Sequence, residues 1–199
     1  MEENKLGNLS FNSENMRIKS NKSIYCDSFY FIDVFDDNSY KKFIKGTERL
    51  IRQSKEYRKY IELLRTNFQA LNYDSVLSNI SSNDANLEFH HYPLSLYEIV
   101  DVLVSKHIIN KDNITSFSIA KEVMEYHYKN KIGLVPFSEM NHKLAHMGAL
   151  FIHKKQIYGD YESFVEENKI GVSSDLIAKL NRLDKMSDSD VASDFKGLF

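Results

Sequence analysis

The stretch 132-IGLVPFSEMNHKLAHMG-148 passes from an apolar run into a helical pattern, with Ser138 at the junction and Gly148 at the end. Ile132–Phe137 reads as a short strand bounded by Gly133 and Pro136. Ser138 is a helix N-cap candidate and Gly148 a stop. His142 and His146 stand four residues apart, so on a helix both imidazoles leave one face. That spacing suits two ligands of a divalent metal. A second histidine pair lies upstream in 86-NLEFHHYP-93, read as a strand ending at His90-His91. It can supply a third ligand and a base side by side. A metal with a base is the minimum equipment for phosphodiester hydrolysis.

Between the two stretches lie two amphipathic helical patterns. Leu94–Ile109 is the first, and Phe117–Lys129, with Thr115 or Ser116 as cap, is the second. The order is therefore strand, two-helix insertion, strand, helix. Further out, Tyr40–Leu71 is helical, with N-cap candidates at Asp36–Ser39 and a break near Ser54. Ile24–Val34 reads as a strand, and a short strand is expected at Ser75–Ile80. Ala149–Ile152 and Gln156–Tyr158 suit a small hairpin, followed by helices over Asp160–Asn168 and Ser173–Met186. The chain divides into a flexible arm (1–21), a strand with a basic helical region (22–85), the histidine-bearing module (86–158), and C-terminal helices with an acidic tail (159–199). The fold class is α+β, mainly helical.

Composition sets outer bounds. The 199 residues are 42% hydrophobic and 27% charged, as in an ordinary globular protein. There are 13 Phe, 12 Tyr and no Trp. Cys26 is the single cysteine, which excludes an internal disulfide and fits a reducing compartment. No hydrophobic leader opens the chain and no 18-residue apolar run crosses it, so a membrane span is not expected. A net charge of −2 excludes a basic nucleic-acid coat, and any such binding must come from a local patch.

The local patch is the segment from Lys41 to Arg65. It carries nine cations, with Tyr57 and Tyr60 among them, against Glu48, Glu56 and Glu62. Arg49, Arg52 and Arg58 are the candidate phosphate contacts. Equally, such charges solvate the outer face of a helix whose other face is core. His107 and His127 on the inserted helices read as surface or boundary histidines, and His153 as part of an exposed loop. Cys26 reads as a strand core residue.

Glu88-Phe89-His90-His91-Tyr92-Pro93, Leu134-Val135-Pro136-Phe137 and His142-x3-His146 together resemble the HNH (ββα-metal) endonuclease family. The Glu-x-His-His form is similar to that of the nuclease colicins, and HNH-like proteins of phages belong to the same resemblance. It covers Leu87–Pro93 and Ile132–Gly148. It implies an embedded ββα-metal module interrupted by the two-helix insertion, and a metal-dependent DNA endonuclease, a phosphodiester hydrolase. His90, His142 and His146 would hold one divalent ion (Zn, Ni, Mn or Mg), with His91 as general base and Glu88 orienting a histidine or an arginine. DNA would be the partner, with a larger phage assembly as a further one, and the location the cytoplasm of a bacterial host. The sequence departs from the family at Gly133, where its middle Asn is expected, with Asn130 or Asn141 as substitutes, and in the length of the insertion. The alternative is a non-catalytic nucleic-acid- or protein-binding subunit with a degenerate form of the fold.

Overall fold

A computed structural model of the chain describes residues 36–188. The strand read at Ile24–Val34, the N-terminal arm, Cys26 and most of the acidic tail lie outside them. Among the described residues there are seven α-helices and one two-stranded antiparallel sheet, an α+β fold dominated by helix.

Helix α1 (Asp37–Gln53) starts where Asp36 accepts the backbone N–H groups of Asn38 and Ser39. Its buried face is Phe43, Ile44, Thr47 and Ile51, a helical stripe. Ser54 then adopts an extended backbone, and its hydroxyl accepts from Tyr57 N–H at 3.0 Å. That cap ends one helix and opens α2 (Lys55–Asn67), so the break read near Ser54 is present.

Strand β1 (Leu87–His91) leads into α3 (Leu96–Asn110), which begins at a reciprocal capping box between Ser95 and Glu98. Leu96, Ile99, Val100, Val102, Leu103 and Val104 are all buried, so α3 is the axis of the core. Helix α4 (Ser116–Tyr128) has its own box, Thr115 with Ser118. Both α3 and α4 pack against α1. The chain then returns in β2 (Leu134–Ser138), antiparallel to β1, with Leu87 opposite Ser138 and His91 opposite Leu134. Helix α5 (Glu139–His146) follows at once, and Gly148 just beyond its C-cap has a φ of +68°, a left-handed conformation that favours glycine. Helices α6 (Tyr161–Glu167) and α7 (Ser174–Asp188) complete the described chain.

Among the described residues one expected strand and one expected hairpin are absent. At Ser75–Ile80 the Asp74 carboxylate accepts from the N–H groups of Val76 and Leu77 and turns the chain. The hairpin expected over Ala149–Tyr158 is replaced by a single 3₁₀ turn, Lys154–Gln156, closed by His153 Nδ1 accepting from Lys155 N–H. Tyr158 instead exchanges two backbone hydrogen bonds of 2.8 Å with Leu134. His153 is thus a turn former, half-buried, with its Nε2 donating to Ser187 O.

His107 links α3 to α4. Its Nδ1 lies 2.8 Å from Asp112 and its Nε2 2.6 Å from Glu122, so both nitrogens donate and the ring is cationic. Burial pulls its pKa down, but the hydrogen bonds to Glu122 and Asp112 outweigh burial and raise it above 6.5. A raised pKa contributes stability that is complete below the unfolded value and is lost as pH rises through the folded one. The His107 contribution, read as the difference in urea midpoint between wild type and His107→Gln, is therefore expected to shrink as pH rises from about 6.5. His107→Gln should be less stable at pH 6 and should lack that part of the slope.

Candidate functional site

The alternation of β1 sorts its residues onto two faces. Leu87, Phe89 and His91 point into the main core, while Glu88 and His90 point to the half-buried side. Opposite Glu88 and His90 in the register stand Phe137 and Val135. These two, with Ile152, form a small second core against which Ala145 of α5 and Leu150 pack. Helix α5 thus lies on the same face of the sheet as His90.

That placement brings three histidines together. His90, His142 and His146 each present a ring nitrogen within 4.8 Å of the others. The ring centroids lie 5.1 Å apart for His90 and His142, 4.7 Å for His90 and His146, and 4.5 Å for His142 and His146. His142 Nδ1 donates to the Glu88 carboxylate, so its Nε2 carries the lone pair, and that atom is 3.1 Å from His146 Nε2. Burial, followed by the neighbouring His146 and His142 and by Lys179 and Arg52, pulls the His90 pKa down to about 4. Burial and the nearby His142 lower that of His146. Both rings are therefore uncharged at neutral pH, the state in which imidazole ligates a cation.

The remaining residues singled out in the sequence lie elsewhere. His91 is 6% exposed and on the opposite face from His90. Its Nε2 is 3.0 Å from His127 Nε2. His127 Nδ1 donates to Val123 O at 2.8 Å, which leaves its Nε2 as acceptor, so His91 is the donor of the pair. Tyr57 stacks on His91, and Tyr60 meets His127 edge-on. Burial holds both histidines well below their usual pKa. His127, expected at the surface or its boundary, is 1% exposed. Sequence proximity gave no sign of this pair, because 36 residues separate its members.

The three arginines are exposed on α1 and α2. Arg52 forms two hydrogen bonds with Glu48 one turn earlier, and Arg58 reaches the carbonyls of Gln53 and Ser54 at the end of α1. Glu88 pairs with His142, not with any of them.

Asp74, which the sequence reading passed over, positions α5. It is 1% exposed, and besides Val76 and Leu77 it accepts from Ser138 N–H at 2.6 Å and from Asn141 Nδ2 at 2.9 Å. Burial raises its pKa, but the hydrogen bonds from Leu77, Ser138 and Val76 outweigh that and lower it. The carboxylate thus pins the first turn of α5 at the end of β2. Its only sequence signal is an Asp ahead of Ser-Val-Leu, an ordinary turn pattern.

Gly133, Asn130 and Asn141 each have a local structural role. A Cβ on Gly133 would lie 2.0 Å from Tyr92 O, so the crossing of the two strands admits only glycine there. Asn130 sits at φ +59° in the turn after α4, and Asn141 is engaged by Asp74.

Comparison with known proteins gives one family. The family model described as bacteriophage G278-like virion protein matches residues 2–197. No curated protein and no solved structure matches. The match overturns the HNH resemblance and, with it, the reading of the chain as a DNA endonuclease or other hydrolase. The resemblance covered two short motifs, whereas the match covers nearly the whole chain. Phage origin and the prospect of a larger phage assembly fit the match, while a DNA partner has no support in it. A virion protein is also not specifically cytoplasmic. No helix of the described residues is long and apolar enough to cross a membrane.

Asp74→Ala leaves the Ser138 N–H and the Asn141 amide without their buried acceptor. The expected loss is about 2–4 kcal/mol of unfolding free energy, read from urea denaturation.

Proposed function

Since the chain belongs to the bacteriophage G278-like virion protein family, we propose that it is a structural subunit of the phage particle that acts by docking to other virion proteins. The family match over residues 2–197 carries this reading. The site supports it from the chemical side. His91 faces His127 in the core rather than the cluster at His90, so no histidine base stands beside that cluster on β1. The described surface also carries large apolar side chains of the kind that neighbouring subunits cover, among them Met140, Met147, Phe117 and Ile109. The basic face of α1 and α2 is read as a solvated helix surface, in keeping with the hydrogen bonds of Arg52 to Glu48 and of Arg58 to the Gln53 carbonyl.

Quantitative mass spectrometry of purified phage particles tests the proposal. The chain is expected at a fixed copy number per particle that survives washing in high salt. Its absence from particles, with the protein confined to the infected-cell lysate, would overturn the structural reading. Supercoiled plasmid incubated with the separately purified protein and Mg²⁺, Mn²⁺, Ni²⁺ or Zn²⁺ is expected to remain supercoiled.

A further inference from the structure

Helix α5 is eight residues long and rests on a second core of only three buried residues, Val135, Phe137 and Ile152. An isolated helix of this length is far below what sustains itself in water. Its amino end is pinned by Asp74 through Ser138 and Asn141. Farther along the helix, His142 hydrogen-bonds Glu88 of β1, and His142 and His146 both lie against His90 on that strand.

We propose that His90, His142 and His146 bind one transition-metal ion of the zinc class, and that this ion staples the carboxyl half of α5 to β1. Four observations converge on it. The ligand atoms come from two elements and meet within 4.8 Å. The His142 and His146 Nε2 atoms, 3.1 Å apart, are close to the roughly 3.3 Å that separates two imidazole nitrogens on a tetrahedral zinc ion. Glu88 holds His142 through Nδ1, which fixes the tautomer with its Nε2 lone pair toward the cluster. A carboxylate behind a ligating histidine is the usual way of orienting the ring and raising its basicity. Finally, three imidazoles without a carboxylate in the inner set favour zinc, nickel or cobalt over magnesium, which prefers oxygen.

The two halves of the helix are then held by different means. Asp74 fixes its start by hydrogen bonds, and the ion fixes its end by coordination. Glu88 acts as a positioning residue through His142. His146 is exposed, so the remaining coordination position lies on the solvent side. The role is structural: the ion joins two elements, and His91 lies across the sheet from it. The inference rests on the geometry of the site and is independent of where the chain sits in the particle.

The full-length protein, stripped with chelator and dialysed, is titrated with Co²⁺ and followed by its visible ligand-field absorption, then with Zn²⁺ in competition. One equivalent is expected, with the intense bands of a tetrahedral site. Saturating Zn²⁺ should raise the melting temperature by roughly 5–10 °C. His146→Ala removes an exposed ring, so the fold is kept, and should weaken binding at least 100-fold. Glu88→Gln should retain one equivalent but bind roughly 10–100-fold more weakly. His107→Gln, on α3, should bind as wild type. Circular dichroism of each variant in chelator confirms the fold, so that lost binding is not lost structure. The proposal is overturned if Co²⁺ and Zn²⁺ fail to bind stoichiometrically, as they would if His146 simply donated a hydrogen bond to His142. Binding unchanged in His146→Ala would overturn it equally.

Discussion

The period-two alternation of β1 is the constraint on which the rest of the arrangement depends. Adjacent residues of a strand face opposite ways, so His90 and His91 cannot share a site. His90 and Glu88 go to the side where α5 lies, and His91 goes with Phe89 into the core. The antiparallel register with β2 then decides what surrounds each. Val135 and Phe137 line the α5 side, and Leu134 joins the main core on the other. A slip of one residue in this pairing would exchange the two faces and dismantle both histidine clusters at once.

The two clusters illustrate how burial assigns different work to the same side chain. His91 and His127 are dry, neutral and matched donor to acceptor under Tyr57 and Tyr60. They hold α4 against β1 as a polar pair inside an apolar core, which is tolerable only because each buried nitrogen in the contact has a partner. His90, His142 and His146 are half-buried or exposed, and their nitrogens face one another. His107 differs from both, because two carboxylates flank it and keep it protonated. Environment separates three behaviours of imidazole within one small domain.

Membership of a virion protein family changes what the strand–strand–helix unit means. Short motifs such as Glu-x-His-His and His-x3-His report local geometry, and local geometry recurs in proteins with different functions. Here the order of strand, insertion, strand and helix was read correctly, and the three histidines on β1 and α5 do meet. The enzymatic reading attached to them does not stand against the family match. The position of Gly133 is instructive. Read as a missing functional Asn, it is instead the one residue that fits beneath Tyr92 O.

Much of the secondary structure was legible because it is set by local chemistry. Capping at Asp36, Ser54, Ser95 and Thr115 involves neighbours within three residues, and the apolar spacing of α1, α3 and α4 repeats within each segment. The i, i+4 spacing of His142 and His146 likewise fixes their common face without reference to the rest of the chain. What sequence alone left open depends on contacts between distant segments. The turn that replaces the strand expected at Ser75–Ile80 is made locally by Asp74 with Val76 and Leu77. Only the reach of that carboxylate to Ser138, 64 residues on, depends on the tertiary fold. The pairing of Tyr158 with Leu134 likewise joins distant segments, in place of a local hairpin. His127 looked like a boundary residue until β1 delivered His91 against it. Sequence thus determined the helices, the two strands and the shared face of His142 and His146, since these follow from backbone periodicity and short-range hydrogen bonds. Tertiary structure alone decided that His90 joins those two while His91 is buried, because only the packing of α4 and α5 on opposite faces of β1 distinguishes one side of a strand from the other.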